Sequence, residues 1–195
     1  MAASLSPVAG RRLIALGLAA LAAVLALSAC GGGDSGPQSV EEDTHSFEYP
    51  EGWSELEAEF VAEAPNNTAS TSVGPEETGV NLVTVGSFDV PVEVNADNIE
   101  DYRDDITAGV EQLFTQADGS IEEGPIQITV GGLPGYRFEG TSTTPIEGAG
   151  EVHTRSIQVY NGTKGFFINC QYAPDAQEEI LAGCQQVVDS FSVAE

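Results

Sequence analysis

The stretch Asp97-Asn98-Ile99-Glu100-Asp101-Tyr102-Arg103-Asp104-Asp105-Ile106-Thr107-Ala108-Gly109-Val110-Glu111-Gln112-Leu113-Phe114-Thr115-Gln116-Ala117 is where the chain changes period. Ile99, Tyr102, Ile106, Val110, Leu113, Phe114 and Ala117 recur three or four residues apart, which puts them on one face of a helix of about five turns. Asp97 and Glu100 have the spacing of an N-terminal capping pair. On both sides of this stretch the apolar period is two. Upstream, Ser46-Phe47-Glu48-Tyr49 alternates as a short strand and closes on the turn Pro50-Glu51-Gly52. Trp53 to Val61 continues extended, Thr68 to Val73 is a weaker run, and Val80 to Val90 is a strand apolar on both faces. Downstream, strands are expected at Ile126–Val130, Tyr136–Thr143, Val152–Tyr160 and Phe166–Tyr172. Gly131-Gly132-Leu133-Pro134-Gly135 and Asn161-Gly162-Thr163 serve as turns, and Pro174 opens a final helix that runs to about Ser190. Strands, a long helix, a meander and a terminal helix make an α+β fold. The expected architecture is an antiparallel sheet of about six to seven strands with a long central helix and a C-terminal helix packed on it.

The cysteines tie two of these elements together. In the run Phe166 to Tyr172, Cys170 shares its strand face with Phe166, Ile168 and Tyr172. In the last helix Cys184 shares a stripe with Ile180, Leu181, Val187, Val188 and Phe191. Both sulfurs therefore face one core, and a structural disulfide between Cys170 and Cys184 is expected in an oxidising compartment. No Cys-x-x-Cys spacing points to redox catalysis.

The compartment is read from the N-terminus. Arg11-Arg12 precedes the apolar run Leu13 to Leu27, which is short for a membrane span, and Leu27-Ser28-Ala29-Cys30 has the form of a lipobox. Residues 1–29 are expected to be removed as a lipoprotein signal peptide. Cys30 would then carry the lipid that anchors the protein on the extracytoplasmic side of the cell membrane. Export by the general or the twin-arginine route stays open. Residues 30–43 comprise the lipidated cysteine and a Gly-rich acidic stretch read as a flexible linker with a reach of roughly 20 Å. Residues 44–195 form a single domain. Removing residues 1–29 takes away two arginines and no acid, so the formal charge moves from −25 to −27. A surface this acidic argues against nucleic acid as a partner, since that binding depends on Lys and Arg neutralising phosphates.

Residue chemistry for catalysis is sparse. There is no Gly-x-Ser-x-Gly elbow and, once Cys30 is acylated, no free cysteine. Asp97, Glu100, Asp101, Asp104, Asp105 and Glu111 crowd the central helix, but a straight helix cannot wrap a cation, so they read as a solvated face rather than a weak divalent-cation site. Glu41-Glu42-Asp43 with His45 sits at the linker edge and reads as disordered. His45 and His153 lack partners at zinc-like spacing, and no cofactor is implied. The basic residues Arg137, Arg155 and Lys164 lie on or beside successive strands, with His153 on the face of Arg155. They form either an anion or partner-recognition patch or a set of separate ion pairs with carboxylates such as Glu139 and Glu151.

Phe47-Glu48-Tyr49-Pro50-Glu51-Gly52-Trp53, the central helix, Gly135-Tyr136-Arg137-Phe138-Glu139-Gly140, and the close with Tyr172-Ala173-Pro174 and Asp189-Ser190-Phe191 together resemble the PsbP-like fold. Within it they resemble small actinobacterial lipoproteins of the LpqN/LpqT type. The resemblance covers residues 44 to 192 and implies a non-enzymatic binding or assembly module. The expected function is a lipid-anchored module that binds a protein partner in the envelope, with the membrane itself contacted through Cys30. The alternative is a carrier or sensor of a small apolar ligand held between sheet and helix.

Overall fold

The computed structural model describes residues 36–56, 67–75, 80–143 and 150–194. The signal peptide, Cys30, the start of the linker and the continuation of the Trp53–Val61 run beyond Leu56 lie outside the described residues. In chain order the elements are β1 (Gln38–Glu41), β2 (His45–Tyr49), β3 (Ser54–Leu56), β4 (Asn67–Gly74), β5 (Leu82–Val94), α1 (Arg103–Gln116), β6 (Ser120–Val130), β7 (Leu133–Thr143), β8 (Glu151–Tyr172), α2 (Gln177–Ser190) and β9 (Ser192–Val193). The main sheet has six strands in the order β3-β4-β5-β8-β7-β6, and a small sheet has the order β1-β2-β9. The paired strands are antiparallel throughout.

β8 is long because it doubles back. A straight strand of 22 residues would span roughly 70 Å. Instead the rings of His153 and Tyr172 stack at 5.6 Å, and the Ser156 hydroxyl donates to Asn169 Oδ1 at 2.7 Å. The bend falls at Asn161-Gly162-Thr163, where Gly162 takes a φ of 63°, a backbone state that suits glycine in a hairpin turn. One arm then pairs Glu151–Val159 with β7, and the other pairs Gly162–Gln171 with β5. The two strands expected at Val152–Tyr160 and Phe166–Tyr172 are these arms.

Alternation along the strands sends side chains to two faces, and each face has its own helix. Val83, Val85, Ile157, Val159, Phe166, Ile168 and Cys170 pack with Ile180, Cys184 and Val187 of α2 and with Val40, Phe47 and Tyr49 of the small sheet. Tyr136, Phe138 and Tyr160 meet Ile99, Ile106, Val110 and Phe114 on the other side. The molecule is thus an α+β sandwich with a helix on either side of a curled antiparallel sheet. The Cys170–Cys184 disulfide, with Cα atoms 5.9 Å apart, binds α2 to β8 as expected.

Four local readings are corrected. The central helix starts with a 3-10 turn at Ile99–Tyr102, and α1 proper begins at Arg103. The capping pair does not form: Asn95 and Asn98 exchange side-chain bonds to the amides of Asp97 and Asn95, and Glu100 instead accepts the Tyr136 hydroxyl at 3.0 Å. Within the stretch 30–43 expected as a flexible linker, Gln38–Glu41 is instead a strand whose Val40 is buried against β2. His45 is not on a disordered edge. It opens β2 with its ring fully buried, ringed by Phe47, Phe166 and Phe191 at centroid distances of 5.9–6.2 Å.

Candidate recognition site on the disulfide face of the sheet

The register of β6, β7 and β8 assembles the site. Arg137 on β7 pairs with Ile157 on β8 and Ile126 on β6, and Glu139 pairs with Arg155. Residues two apart on a strand share a face, so both arginines and the glutamate stand on the side that carries α2. The contacts that define the β8 hairpin also set Arg155 opposite Cys170. Its disulfide brings α2 alongside.

One carboxylate oxygen serves both arginines. Arg155 Nε donates to Glu139 Oε1 at 2.8 Å, and Arg137 Nε lies 3.4 Å from the same oxygen without the alignment of a hydrogen bond. Two guanidiniums thus share the Glu139 carboxylate on an otherwise acidic protein. The side chains are partly screened, at 32% exposed for Arg137, 21% for Arg155 and 19% for Glu139. Burial, reinforced by the nearby Glu139 and Glu122 carboxylates and opposed by Arg155, holds the Tyr172 phenol above its ordinary value, so its hydroxyl borders the same cluster.

Beside the cluster is a recess of about 150 Å³ between the sheet and α2, lined by Ile128, Thr129, Val130, Arg137, Arg155, Ile157, Cys184, Gln185 and Val188. Its lining mixes the aliphatic side chains of Ile128, Val130, Ile157 and Val188 with the two guanidiniums, Thr129, Gln185 and the disulfide residue Cys184. Ile128, Val188 and Gln185 were not singled out from the sequence. Val188 was visible only as part of the helical stripe, and the recess depends on where α2 lies against the sheet.

Lys164 does not join this cluster. It pairs with Asp89 of β5 at 2.6 Å, on the opposite arm of β8, with Lys164 half-buried and Asp89 exposed. The four basic positions therefore divide: Arg137 and Arg155 share Glu139, His153 stacks on Tyr172 on the same face, and Lys164 is separate. The acidic residues Asp97, Glu100, Asp101, Asp104, Asp105 and Glu111 are all exposed. Among the described residues no group of three or more His, Cys, Asp or Glu side chains gathers to hold a metal ion. Nor is any described helix long and apolar enough to cross a membrane.

The fold has a counterpart among solved structures. Cyanobacterial PsbP (CyanoP) of Synechocystis sp. PCC 6803 is similar with a TM-score of 0.56 and 18% identity, over 86% of this chain and 99% of that one. The chain has a PsbP-like fold. LpqN of Mycobacterium tuberculosis, described as involved in cell envelope biogenesis, is similar at a TM-score of 0.49 and 9% identity, over 82% of this chain and 92% of that one. No family model matches the chain, and no curated protein sequence does. Within this PsbP-like fold the Arg137–Glu139–Arg155 cluster sets two forked donor groups beside a small recess.

Proposed function

We propose that this chain is a non-catalytic binding module of the cell envelope, held at the outer face of the cytoplasmic membrane by lipid on Cys30, where it docks a protein partner. The observation that carries the reading is the recess at Arg137, Glu139 and Arg155. It supplies shape and charge-assisted donors, the ingredients of a docking site. The Cys170–Cys184 disulfide supports an oxidising location. Leu27-Ser28-Ala29-Cys30 supports the lipid anchor. A recess of about 150 Å³ lies below the 300–1,000 Å³ that small-molecule pockets usually occupy, which disfavours a carrier of a whole apolar ligand.

The test is crosslinking in intact cells followed by affinity recovery, comparing wild type, Cys30→Ala and Arg155→Gln. Radiolabelled palmitate incorporation is followed in parallel. The expected result is label on wild type but not on Cys30→Ala, and one specific crosslinked protein that both substitutions lose. Recovery of the same proteins at the same yield from all three would refute the docking role, and label that persists in Cys30→Ala would refute the anchor.

A further inference from the structure

We infer that the recess captures the C-terminus of a partner polypeptide, with the terminal carboxylate on Arg137 and Arg155 and the last side chain, an apolar one, in the hollow. This rests on the docking function proposed above and names the chemistry of the partner.

Three observations converge. First, each arginine makes its nearest approach to Glu139 Oε1 through Nε, at 2.8 Å for Arg155 and 3.4 Å for Arg137, and both side chains line the recess. The outer edge of a guanidinium presents a fork suited to a carboxylate held by two parallel hydrogen bonds. Secondly, the volume decides the apolar part. A hollow of about 150 Å³ is the size that accepts one benzene ring. It therefore fits a single leucine or phenylalanine side chain and is too small for a lipid acyl chain. Carboxylate and apolar group must then lie within one residue of each other, which is the arrangement at a polypeptide C-terminus. Thirdly, β6 is the outermost strand of the sheet, so the hollow opens at an edge that an extended chain can reach. The charge balance adds a further selection. A protein of formal charge −25 repels acidic chains, whereas the arginine pair offers one local anion site, so the matching partner is neutral or basic upstream of its terminal carboxylate.

The experiment measures fluorescence anisotropy of fluorescein-labelled hexapeptides Gly-Ser-Lys-Ser-Lys-X, with X as Leu, Phe, Ala or Asp, on the purified full chain in mild detergent. The free-acid Leu and Phe peptides should bind at least ten-fold tighter than their C-terminal amides and than the Ala and Asp peptides. Arg155→Gln should remove the preference for the free acid, and Val188→Trp, which fills the hollow, should remove the preference for Leu over Ala. Arg155→Lys keeps the charge without the fork and should lose most of the preference. It serves as the decisive variant should Arg155→Gln not fold. Equal affinity for acid and amide, absence of binding up to millimolar peptide, or competition by decanoate as strong as by the Leu peptide would each overturn the inference. Should the peptides fail while the cellular crosslink is still lost in Arg155→Gln, the docking function stands and only the C-terminal specificity falls. Loss of both removes both.

Discussion

Gly183 offers the most direct test of how α2 sits on the sheet. A Cβ at this position would lie 2.2 Å from the Cη2 and 2.5 Å from the Cζ2 atom of Trp53, whereas carbon atoms in contact rest about 3.5–4.0 Å apart. The indole would have to retreat by more than 1 Å, and it has little freedom to do so. Trp53 is only 5% exposed, its carbonyl accepts from Gln38 Nε2 at 2.9 Å, and its amide donates to the Pro50 carbonyl. Replacing a mid-helix glycine by alanine is worth up to about 1 kcal/mol in helix propensity. Forcing an extra methyl into a packed core typically costs about 1–3 kcal/mol and occasionally more. The second effect should win, so Gly183→Ala destabilises by about 1–2 kcal/mol, which lowers the Tm of a domain this size by roughly 2–8 °C. Trp53 is the single tryptophan of the chain, so intrinsic fluorescence reports this contact alone, and its emission should move to the red in the variant. The double variant Trp53→Phe with Gly183→Ala should recover part of the loss relative to the sum of the singles, because the smaller ring leaves room for the methyl. Gly183→Ala with unchanged emission and equal or higher Tm would refute the close approach of α2 to the Pro50-Glu51-Gly52 turn region.

Two other perturbations address the core. Burial lowers the pKa of His45 below its ordinary 6.5, opposed in part by the Glu42 carboxylate, and Nε2 has no hydrogen-bond partner. The unfolded chain therefore takes up a proton before the folded one does. Stability should be full above pH 6.5 and fall as the pH drops below it, with a slope of at most about 1.4 kcal/mol per pH unit from this one group. Denaturant unfolding at pH 6.5 and 5.5 checks this: His45→Phe should flatten the slope, and an equal slope in the variant would show that His45 does not contribute. Reduction of Cys170–Cys184, 14 residues apart, should cost about 3 kcal/mol in the chain-entropy model. Calorimetry with and without a phosphine reductant should show a fall in Tm of roughly 6–12 °C, and an unchanged Tm with both thiols titratable would contradict a structural role.

The elements that could be read from the chain are those where local pattern and tertiary packing agree. Val83 and Val85 alternate with Thr84 and end up on one buried face, and Cys170 and Cys184 each ride an apolar set that finds the same core. Where the two disagree, the sequence was silent. Val40 is the only large apolar residue between Gly31 and Asp43, so β1 has almost no signal of its own; it forms because β2 offers a partner and Phe47 a contact. His45 follows three acids and a threonine, which reads as solvated, and its burial is decided by Phe166 and Phe191 from far along the chain. The arginine cluster was legible as residues but not as geometry. Arg137 and Arg155 meet at Glu139 because of the β7–β8 register, and Lys164 is removed from them by the bend at Gly162, a three-dimensional consequence of one turn.

The same register explains why the site would be ready before a partner arrives. Two guanidiniums standing on neighbouring strands repel, and without Glu139 their side chains would splay into solvent. The shared carboxylate draws both toward it, with a hydrogen bond to Arg155 Nε and an ion pair to Arg137. The far wall of the hollow is helix α2, and α2 is fastened to β8 by a disulfide whose Cys184 itself lines the recess. Side chains and a wall that are fixed in advance lose little freedom on binding, which is how a small contact area gains useful affinity. Charge then acts at two ranges. At physiological salt the Debye length is about 8 Å, so on the proposed docking role the acidic surface as a whole would govern which chains approach, while the arginine pair would govern what is held once they touch. A partner would then be filtered twice: by sign at a distance and by the geometry of one carboxylate at contact.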